Sequence, residues 1–343
     1  MRHPWANVAL LVLVAVQVAT GFAGLLGSGD GFRVAFWVHA VGAYAIFVVL
    51  FAKAVLVSDE VRRRPGLHGG RTLLLAAGVL LAATLVTGMV WIAGGNVRVL
   101  SVSLINLHAY LALALSAILV WHVLDRRWIV RVPRAADRGA FLRLAGVAAA
   151  GLAVWQAERW TQRLLGLPGS RRRWTGSYET ASHSGGFPSV SWLDDDPDPV
   201  DAAAWRLRVE GAVERPLDLS HEQVLALAGE TREALIDCTG GWYSRQRWTG
   251  VPLARLLEMA GAREAADSVR VEGVTGYARR FSVSHARGLL LATAVAGAPL
   301  SHGHGFPARL VVPSRRGFDW VKWVVRIEVS ESSHLLQPPL PLT

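Results

Sequence analysis

The sequence contains a single cysteine, Cys238, in 343 residues. One thiol cannot form an intramolecular disulfide, so disulfide-stabilised folds are excluded. Zinc and iron–sulfur sites built from several cysteines are excluded for the same reason. The thiol lies in the stretch LIDCTGGWYSRQRW, beside glycines and tryptophans. Three explanations remain: a buried apolar residue, a catalytic nucleophile, or the one protein ligand of a metal that an organic cofactor also holds.

Acidic residues are scarce in the first half of the chain. Residues 1–175 hold 19 Lys and Arg but only 6 Asp and Glu, whereas residues 176–343 hold 17 basic and 20 acidic residues. The net charge of +10 therefore comes from the first half. That half also contains long apolar runs, and basic residues between such runs are typical of the cytoplasmic loops of membrane proteins. The pattern argues against a nucleic-acid-binding protein.

Four apolar runs are long enough to cross a lipid bilayer, for which about 20 residues are needed. They are Trp5–Leu26, Val34–Val57, Thr72–Ala93 and Val102–Leu124. Arginine-rich stretches, RRRPGLHGGR and DRRWIVRVPRAADR, follow the second and fourth runs, whereas the other two connections carry few charges. The positive-inside rule therefore places the N-terminus in the cytoplasm and predicts a multi-pass protein of the cell membrane.

A fifth apolar segment, residues 138–158, is interrupted by Arg143. Its stretch RGAFLRLAGVAAAG resembles a twin-arginine export signal in which Gly139 replaces the second arginine. We predict that this segment spans the membrane, which places everything after it on the extracytoplasmic face. The alternative is a helix lying on the inner surface, with a cytoplasmic C-terminal domain, and the basic stretch SRRRW at 170–174 agrees with it.

The rest of the chain has the pattern of a soluble domain. Residues 159–200 are rich in Gly, Ser, Pro and Asp and predict a linker and an extended arm. Residues 201–330 combine alternating strands such as VKWVVRIEV with two short helices. Ser220 is the predicted N-cap of the helix in SHEQVLALA, and Gly261 is predicted to end the helix in VPLARLLEMAG. A tail, 331–343, follows. The predicted fold class is an N-terminal all-α transmembrane helical bundle with a C-terminal mixed α+β domain.

Histidines within the apolar runs are candidate ligands, because ionisable side chains in a membrane are costly. His39 and His108 lie at similar depth near the outer ends of the second and fourth runs, and two facing imidazoles can bind a b-type haem. His122 follows His108 by nearly four helical turns, which predicts that both rings share one face. A second, inner haem would need His3 or His68 as its other ligand. The alternative is that these histidines hydrogen-bond to neighbouring helices.

Residues 1–130 resemble the cytochrome b561-like four-helix membrane domains, through VHAVGAYAIFVVLFAK and LINLHAYLALALSAILVWHVL. The resemblance implies a transmembrane bundle with one haem b, or two as the alternative. It also implies electron exchange with quinone or quinol in the bilayer.

The stretch HGHGFPARLVVPSRRGFDWVKW places a basic cluster among turns and strands, which suits a buried anionic phosphate. Together with DCTGGWYSRQRW, it resembles the sulfite oxidase family of molybdenum enzymes. The resemblance implies a sulfite-oxidase-type molybdopterin domain in which Cys238 is the protein ligand of molybdenum. It further implies that the pterin and its phosphate are held by residues of the basic stretch: His304, Arg309, Ser314, Arg315, Arg316, Gly317 and Lys322.

The chain departs from sulfite oxidases in two places. Two glycines and Trp242 follow the cysteine, where eukaryotic sulfite oxidases have Ala or Ser, Gly, Asn and Arg, so the substrate is left open. Arg245 and Arg247 are candidates for holding a polar or anionic oxygen-atom donor or acceptor, with a solvated turn as the alternative. The short tail leaves no room for the immunoglobulin-like dimerisation domain, as in bacterial methionine sulfoxide reductase catalytic subunits, and the oligomeric state is open.

We therefore expect a membrane-anchored molybdenum oxidoreductase that performs oxygen-atom transfer and exchanges electrons with quinone or with a redox partner protein. The direction of electron flow is open. Two alternatives belong to other classes of protein. One is a non-catalytic membrane sensor that binds a cofactor. The other is a thiol hydrolase in which Cys238 works with His285, His302 or His304.

Overall fold

The computed structural model describes residues 4–63, 69–100, 102–125, 138–191 and 195–340. The chain divides into two compact units. The first comprises Met1–Leu25 and Asp30–Tyr178, and the second comprises Leu26–Gly29 and Glu179–Thr343.

Five long helices make up most of the described part of the first unit, and a short hairpin of β1 (Arg98–Val99) and β2 (Val102–Ser103) joins the third helix to the fourth. The helices are α1 (Pro4–Leu26), α2 (Arg33–Arg63), α3 (Gly69–Gly94), α4 (Leu104–Asp125) and α5 (Arg138–Leu164). Four stretches are long and apolar enough to cross a membrane: Ala9–Leu26, Asp30–Ala52, Leu75–Gly94 and Leu104–Trp121. The second of them begins with a short 3-10 helix, Asp30–Phe32, that leads into α2.

The fifth helix, α5, packs directly against α2. A Cβ atom built on Gly151 would lie 2.8 Å from the carbonyl oxygen of Val41 and 2.9 Å from the backbone nitrogen of Ala45. The two backbones therefore approach closely at this glycine, as small residues allow between membrane helices. Although α5 has 27 residues, it is not one of the four helices that meet the criteria for a span. That it crosses the membrane stays a prediction.

The C-terminal ends of α3 and α5 lie together. Gln162 on α5 donates its side-chain amide to the carbonyl oxygen of Ile92 on α3, at 3.2 Å. The segment after α5 folds back over the same end of α3. There the Tyr178 hydroxyl donates to the carbonyl oxygen of Trp91 at 2.6 Å, and the Trp91 indole donates to the carbonyl oxygen of Gly176 at 2.9 Å. The chain thus leaves the helical unit at the end where α3 stops and α4 begins.

The second unit is built on two β-sheets. In the six-stranded sheet the order is β11-β10-β7-β3, with β12 paired to β10 and β6 paired to β7. In the five-stranded sheet the order is β5-β4-β13-β8-β9, and β13 runs parallel to β4. The strands are β3 (Tyr178–Glu179), β4 (Arg206–Gly211), β5 (Leu217–Ser220), β6 (Glu230–Asp237), β7 (Trp242–Pro252), β8 (Ser268–Gly273), β9 (Ala278–Ser282), β10 (Leu290–Val295), β11 (Ala298–Pro299), β12 (Arg309–Val311) and β13 (Val324–Ser330).

Three short helices, α6 (His221–Leu227), α7 (Leu253–Ala260) and α8 (Val283–Arg287), connect the strands. The predicted N-cap is confirmed, because Ser220 and Gln223 form a capping box at the start of α6. The predicted stop is confirmed as well, because Gly261 ends α7 in the left-handed conformation. Apolar side chains of α7 and both sheets are buried in one core, so the predicted mixed α+β architecture is confirmed.

Candidate functional site

The turn between β6 and β7 holds the cysteine. The backbone nitrogen of Cys238 donates to the carbonyl oxygen of Trp242 at 2.9 Å, and that of Gly241 donates to the Cys238 carbonyl oxygen at 3.1 Å. Gly241 has φ +89°, a conformation that favours glycine. The Gly240 N–H points at the Cys238 sulfur, 3.4 Å away. The hairpin therefore fixes the direction of the half-buried thiol.

The thiol lies in the wall of a cavity whose other walls come from distant parts of the second unit. Ser189 and Ser191 come from the arm that precedes the sheets, Trp242 from β7, and Arg309 and Lys322 from the basic stretch near the C-terminus. The fold thus brings together the two motifs that the sequence separates.

Arg309 is a buried cation beside the thiol. Its side chain is 4% exposed and lies against the rings of Trp248 and Trp320, 5.6 and 5.8 Å from their centroids. One of its nitrogens donates to the carbonyl oxygen of His304 at 3.2 Å. Burial lowers the pKa of Arg309 to about 10, so it still carries its charge at neutral pH.

Lys322 is the second cation of the cavity. Its ammonium lies 3.4 Å from the hydroxyl of Ser189 and 3.3 Å from that of Ser191. Burial, and then the charge of Arg309, lowers the pKa of Lys322 to about 8. Within the described part of the chain, neither Lys322 nor Arg309 forms an ion pair with a carboxylate. The cavity therefore presents two cations that no described carboxylate contacts directly.

His304 lies behind the cavity wall, and the protein holds its ring by two hydrogen bonds and a stacking contact. Its Nε2 lies 2.8 Å from the carbonyl oxygen of Phe187 and its Nδ1 lies 3.0 Å from the hydroxyl of Ser301. The ring also stacks on Phe187, with centroids 4.0 Å apart. Both nitrogens are thus bonded within the protein, and burial lowers the pKa of His304. The neighbouring Gly305, at φ +102°, allows the close approach of Lys322, since an added Cβ would lie 3.0 Å from that of the lysine.

Of the predicted pterin-binding residues 314–317, only Gly317 lines the cavity. An added Cβ on Gly317 would lie 3.4 Å from the Cα of Cys238. Arg316 is buried, and its guanidinium donates to the Asp237 carboxylate at 2.6 Å. Ser314 and Arg315 are more exposed and do not line the cavity.

Several buried N–H donors around the cavity have no hydrogen-bond acceptor among the described residues. Nε of Arg309 and the indole nitrogen of Trp242 belong to residues that line the cavity, whereas Nε of Arg316 and the indole nitrogen of Trp320 belong to residues behind its wall. Buried donors without acceptors are costly, so they favour a ligand rich in acceptors. The donor set fits an anionic organic cofactor that also holds a soft metal at the thiol.

Arg245 and Arg247 do not line the cavity at Cys238, and that they hold the substrate stays a prediction. Side chains alternate along β7, so the inward face of this strand carries Trp242 and Trp248, while the two arginines are exposed on the other face. Arg245 there pairs with Glu233 at 3.2 Å. The motif could not reveal this, because the first residues of the strand looked like a turn.

No histidine activates the thiol in the described part of the chain. The one hydrogen bond to the Cys238 sulfur comes from the Gly240 backbone, and burial raises the thiol's pKa. Of the three candidate partners, His304 is fully bonded elsewhere, His302 lies beside Asp196 at 3.6 Å, and His285 packs on Phe281. A thiol hydrolase is therefore disfavoured.

A second candidate site lies in the helical unit. The rings of His39 on α2 and His108 on α4 are neighbours, with centroids 6.2 Å apart and planes nearly perpendicular, at 81°. Nδ1 of His39 lies 3.2 Å from the carbonyl oxygen of Gln17 and 3.1 Å from the hydroxyl of Thr20, and Nδ1 of His108 lies 2.8 Å from the carbonyl oxygen of Thr84. Neither Nε2 has a partner among the described residues, which leaves both free for a metal.

Glycines face these two rings. A Cβ on Gly21 would lie 3.2 Å from the His39 ring, and one on Gly88 would lie 3.1 Å from the His108 ring.

His122, the predicted inner ligand, belongs to α4, but its side chain lies outside the described residues. His3 and His68 lie outside them altogether.

Comparison with known proteins places the second unit in a family. A family model described as "Oxidoreductase molybdopterin binding domain" matches residues 195–336. The uncharacterized oxidoreductase YuiH of Bacillus subtilis is 33% identical over 137 residues, which cover 39% of this chain and 69% of that protein. The protein-methionine-sulfoxide reductase catalytic subunit MsrP of Xanthomonas axonopodis is 34% identical over 159 residues. That alignment covers 39% of this chain and 49% of MsrP, so this chain spans about half of that relative's length.

Among solved structures, the sulfane dehydrogenase SoxCD of Paracoccus pantotrophus is similar, with 30% identity and a TM-score of 0.37. The similarity covers 39% of this chain and 40% of that chain.

The charge of Lys322 predicts a pH-dependent affinity for anions. In cofactor-free protein, sulfate binding measured by calorimetry is expected to weaken about 10-fold or more as the pH rises through 8, because the ammonium loses its proton there. The matched control is Lys322→Arg, which stays charged and is expected to keep its affinity up to pH 9. Equal pH profiles for the two proteins would show that Lys322 does not hold the anion.

Proposed function

Because the chain belongs to the family of oxidoreductases with a molybdopterin binding domain, we propose that Cys238 is the protein ligand of molybdenum in a membrane-anchored oxygen-atom-transfer enzyme. One observation carries the proposal: a single cavity joins the thiol to two cations and to buried donors without acceptors. Thiolates prefer soft metals, and cations with N–H donors suit the phosphate and the pterin.

Different residues of the cavity bind the metal and the pterin. Cys238 supplies the thiolate, Arg309 and Lys322 bind the phosphate or pterin oxygens, and Gly317 leaves room for them beside the cysteine. His304 acts indirectly, since its Nε2 is bonded to the carbonyl oxygen of Phe187, the residue before Pro188 in the cavity wall. When bound, the cofactor supplies oxygen-atom transfer with a two-electron change.

The substrate is proposed from the relatives and from the cavity wall. One named relative is a methionine sulfoxide reductase subunit, and the cavity beside the thiol includes the apolar side chains of Ile236, Trp242 and Phe318. With Arg245 and Arg247 directed elsewhere, the wall suits a neutral oxygen-atom donor such as a sulfoxide. Sulfoxide reduction is therefore the first activity to assay.

The role of Cys238 is tested by Cys238→Ser, with the neighbouring cavity residue varied in Thr239→Ala as the matched control. Outer-shell substitutions at metal sites cost about 10–100-fold in metal affinity or activity, so loss of the ligand itself is expected to cost at least 100-fold in turnover. Molybdenum is measured by mass spectrometry and turnover by sulfoxide reduction. Full molybdenum content and turnover in Cys238→Ser would rule out the proposed ligand.

We further propose that His39 and His108 hold one haem b. A metal–nitrogen distance of about 2.0 Å puts two imidazole centroids about 6 Å apart across one metal, and the observed separation is 6.2 Å. The Nδ1 hydrogen bonds fix both rings so that Nε2 is the ligating atom, as is usual for ligating histidines. Such a group would relay single electrons between quinone or another redox partner and the molybdenum site.

Replacing either histidine is expected to abolish haem binding, because one imidazole alone cannot complete the pair. His39→Ala and His108→Ala should each lose the reduced-minus-oxidised absorption bands of a b-type haem in purified membranes. His285→Ala, which alters a histidine of the second unit, is the control and should keep them. Normal bands in both helical variants would contradict the assignment.

The helical unit supports a cytoplasmic N-terminus and an extracytoplasmic catalytic domain. Packing of α5 on α2 favours a fifth span, and the ends of α3 and α5 lie together. In the sequence, arginine-rich stretches precede α3 and α5, so the positive-inside rule assigns the N-terminal ends of these two helices to the cytoplasm. Trp160, 70% exposed near the end of α5, suits the aromatic belt at a membrane surface.

This orientation predicts the behaviour of reporter fusions. Alkaline phosphatase, which is active only outside the cytoplasm, is expected to be active when fused to the C-terminus, whereas green fluorescent protein fused there should be dark. Fusions after Gly66, in the arginine-rich connection, provide the control and should behave oppositely. A fluorescent C-terminal fusion would place the catalytic domain in the cytoplasm.

A further inference from the structure

The second unit contains two buried ion pairs of similar geometry. Arg316 and Asp237 are 2.6 Å apart, with side chains 6% and 0% exposed, and Arg279 and Asp319 are 2.7 Å apart, with side chains 5% and 3% exposed. The pairs differ in their surroundings. Asp237 directly precedes Cys238, whereas neither residue of the second pair adjoins the cysteine: Arg279 donates to Asp319 and to the carbonyl oxygen of Pro338, and it lies against the ring of Phe318.

The Asp237–Arg316 pair joins the turn that holds Cys238 to the turn formed by residues 314–317. Asp237 and Arg316 are also joined by a parallel β-bridge between their backbones. The residues that follow them, Cys238 and Gly317, are also in close contact, because an added Cβ on Gly317 would lie 3.4 Å from the Cα of Cys238. Side chains and backbones thus hold two segments together that are 79 residues apart in the chain.

The charges of the pair also matter for the sulfur. A buried carboxylate next to Cys238 would repel a thiolate, and the Arg316 guanidinium compensates it. Nε of Arg316 is buried without an acceptor, so the guanidinium keeps one donor in addition to the bond with Asp237. Removing either partner alone would leave a buried, unpaired charge.

We propose that Asp237 and Arg316 are positioning residues that set the place of the Cys238 thiolate and the charge around it. The inference rests on the proposed role of Cys238 as the molybdenum ligand. It gives Arg316 a different task from the pterin contact that the motif implies, because its guanidinium is bonded to Asp237. Outer-shell partners of this kind orient a ligand and tune its metal.

The test compares two double variants that each remove one buried pair without leaving a lone charge. They are Asp237→Asn with Arg316→Gln, and Asp319→Asn with Arg279→Gln as the matched control. Both are expected to lower the melting temperature. Only the first is expected to lower molybdenum retention about 10-fold, to shift the midpoint potential of the metal, and to move the thiolate-to-metal absorption band.

A conservative single variant tests the inference even if the double variants fail to fold. Arg316→Lys keeps the charge but not the planar fork of the guanidinium, so it is expected to retain molybdenum and still move the absorption band. Equal effects of the two double variants, or an unchanged band and potential in Arg316→Lys, would overturn the inference while leaving Cys238 as the ligand. A wild-type protein without molybdenum would instead refute the proposed function.

Discussion

The close packing of the cysteine turn on the 314–317 turn is the constraint on which the site depends. Without it, the thiol at the end of β6 and the two cations, Arg309 on β12 and Lys322 after it, would belong to separate surfaces. Gly241 lets the first turn close, and Gly317 lets the second approach it. The buried Asp237–Arg316 pair then keeps the two in register. A small number of backbone and side-chain contacts thus turns two remote motifs into one cavity.

The helical unit follows different physical rules. Its helices are apolar over most of their surface, so polar groups inside them need partners or ligands. In His39 and His108 only one ring nitrogen, Nδ1, has a hydrogen-bond partner among the described residues. The other nitrogen of each ring is what makes them a candidate metal site. Under our proposals, one chain joins a two-electron centre to a one-electron centre, a combination that a simple sensor protein would not need.

Much of this organisation could be predicted from the sequence, because it depends on local patterns. Apolar length indicated the membrane-spanning candidates, caps indicated α6 and α7, and family motifs indicated Cys238, Arg309 and Lys322. The rest depends on register and on distant contacts. The strand predicted from Val321 begins at Val324, since Trp323 adopts φ +51° and a bulge follows it. Strand register likewise turns Arg245 and Arg247 outward. The sequence around Arg316 does not indicate that Asp237 is its partner.

The central claim is a bond between the sulfur of Cys238 and molybdenum. X-ray absorption at the molybdenum edge of the full-length protein, purified from cells that make the cofactor, tests it most directly. We expect one more sulfur neighbour than the pterin dithiolene supplies, with the extra sulfur belonging to the protein. A first shell that contains only the dithiolene sulfurs, in a protein fully loaded with molybdenum, would contradict the account.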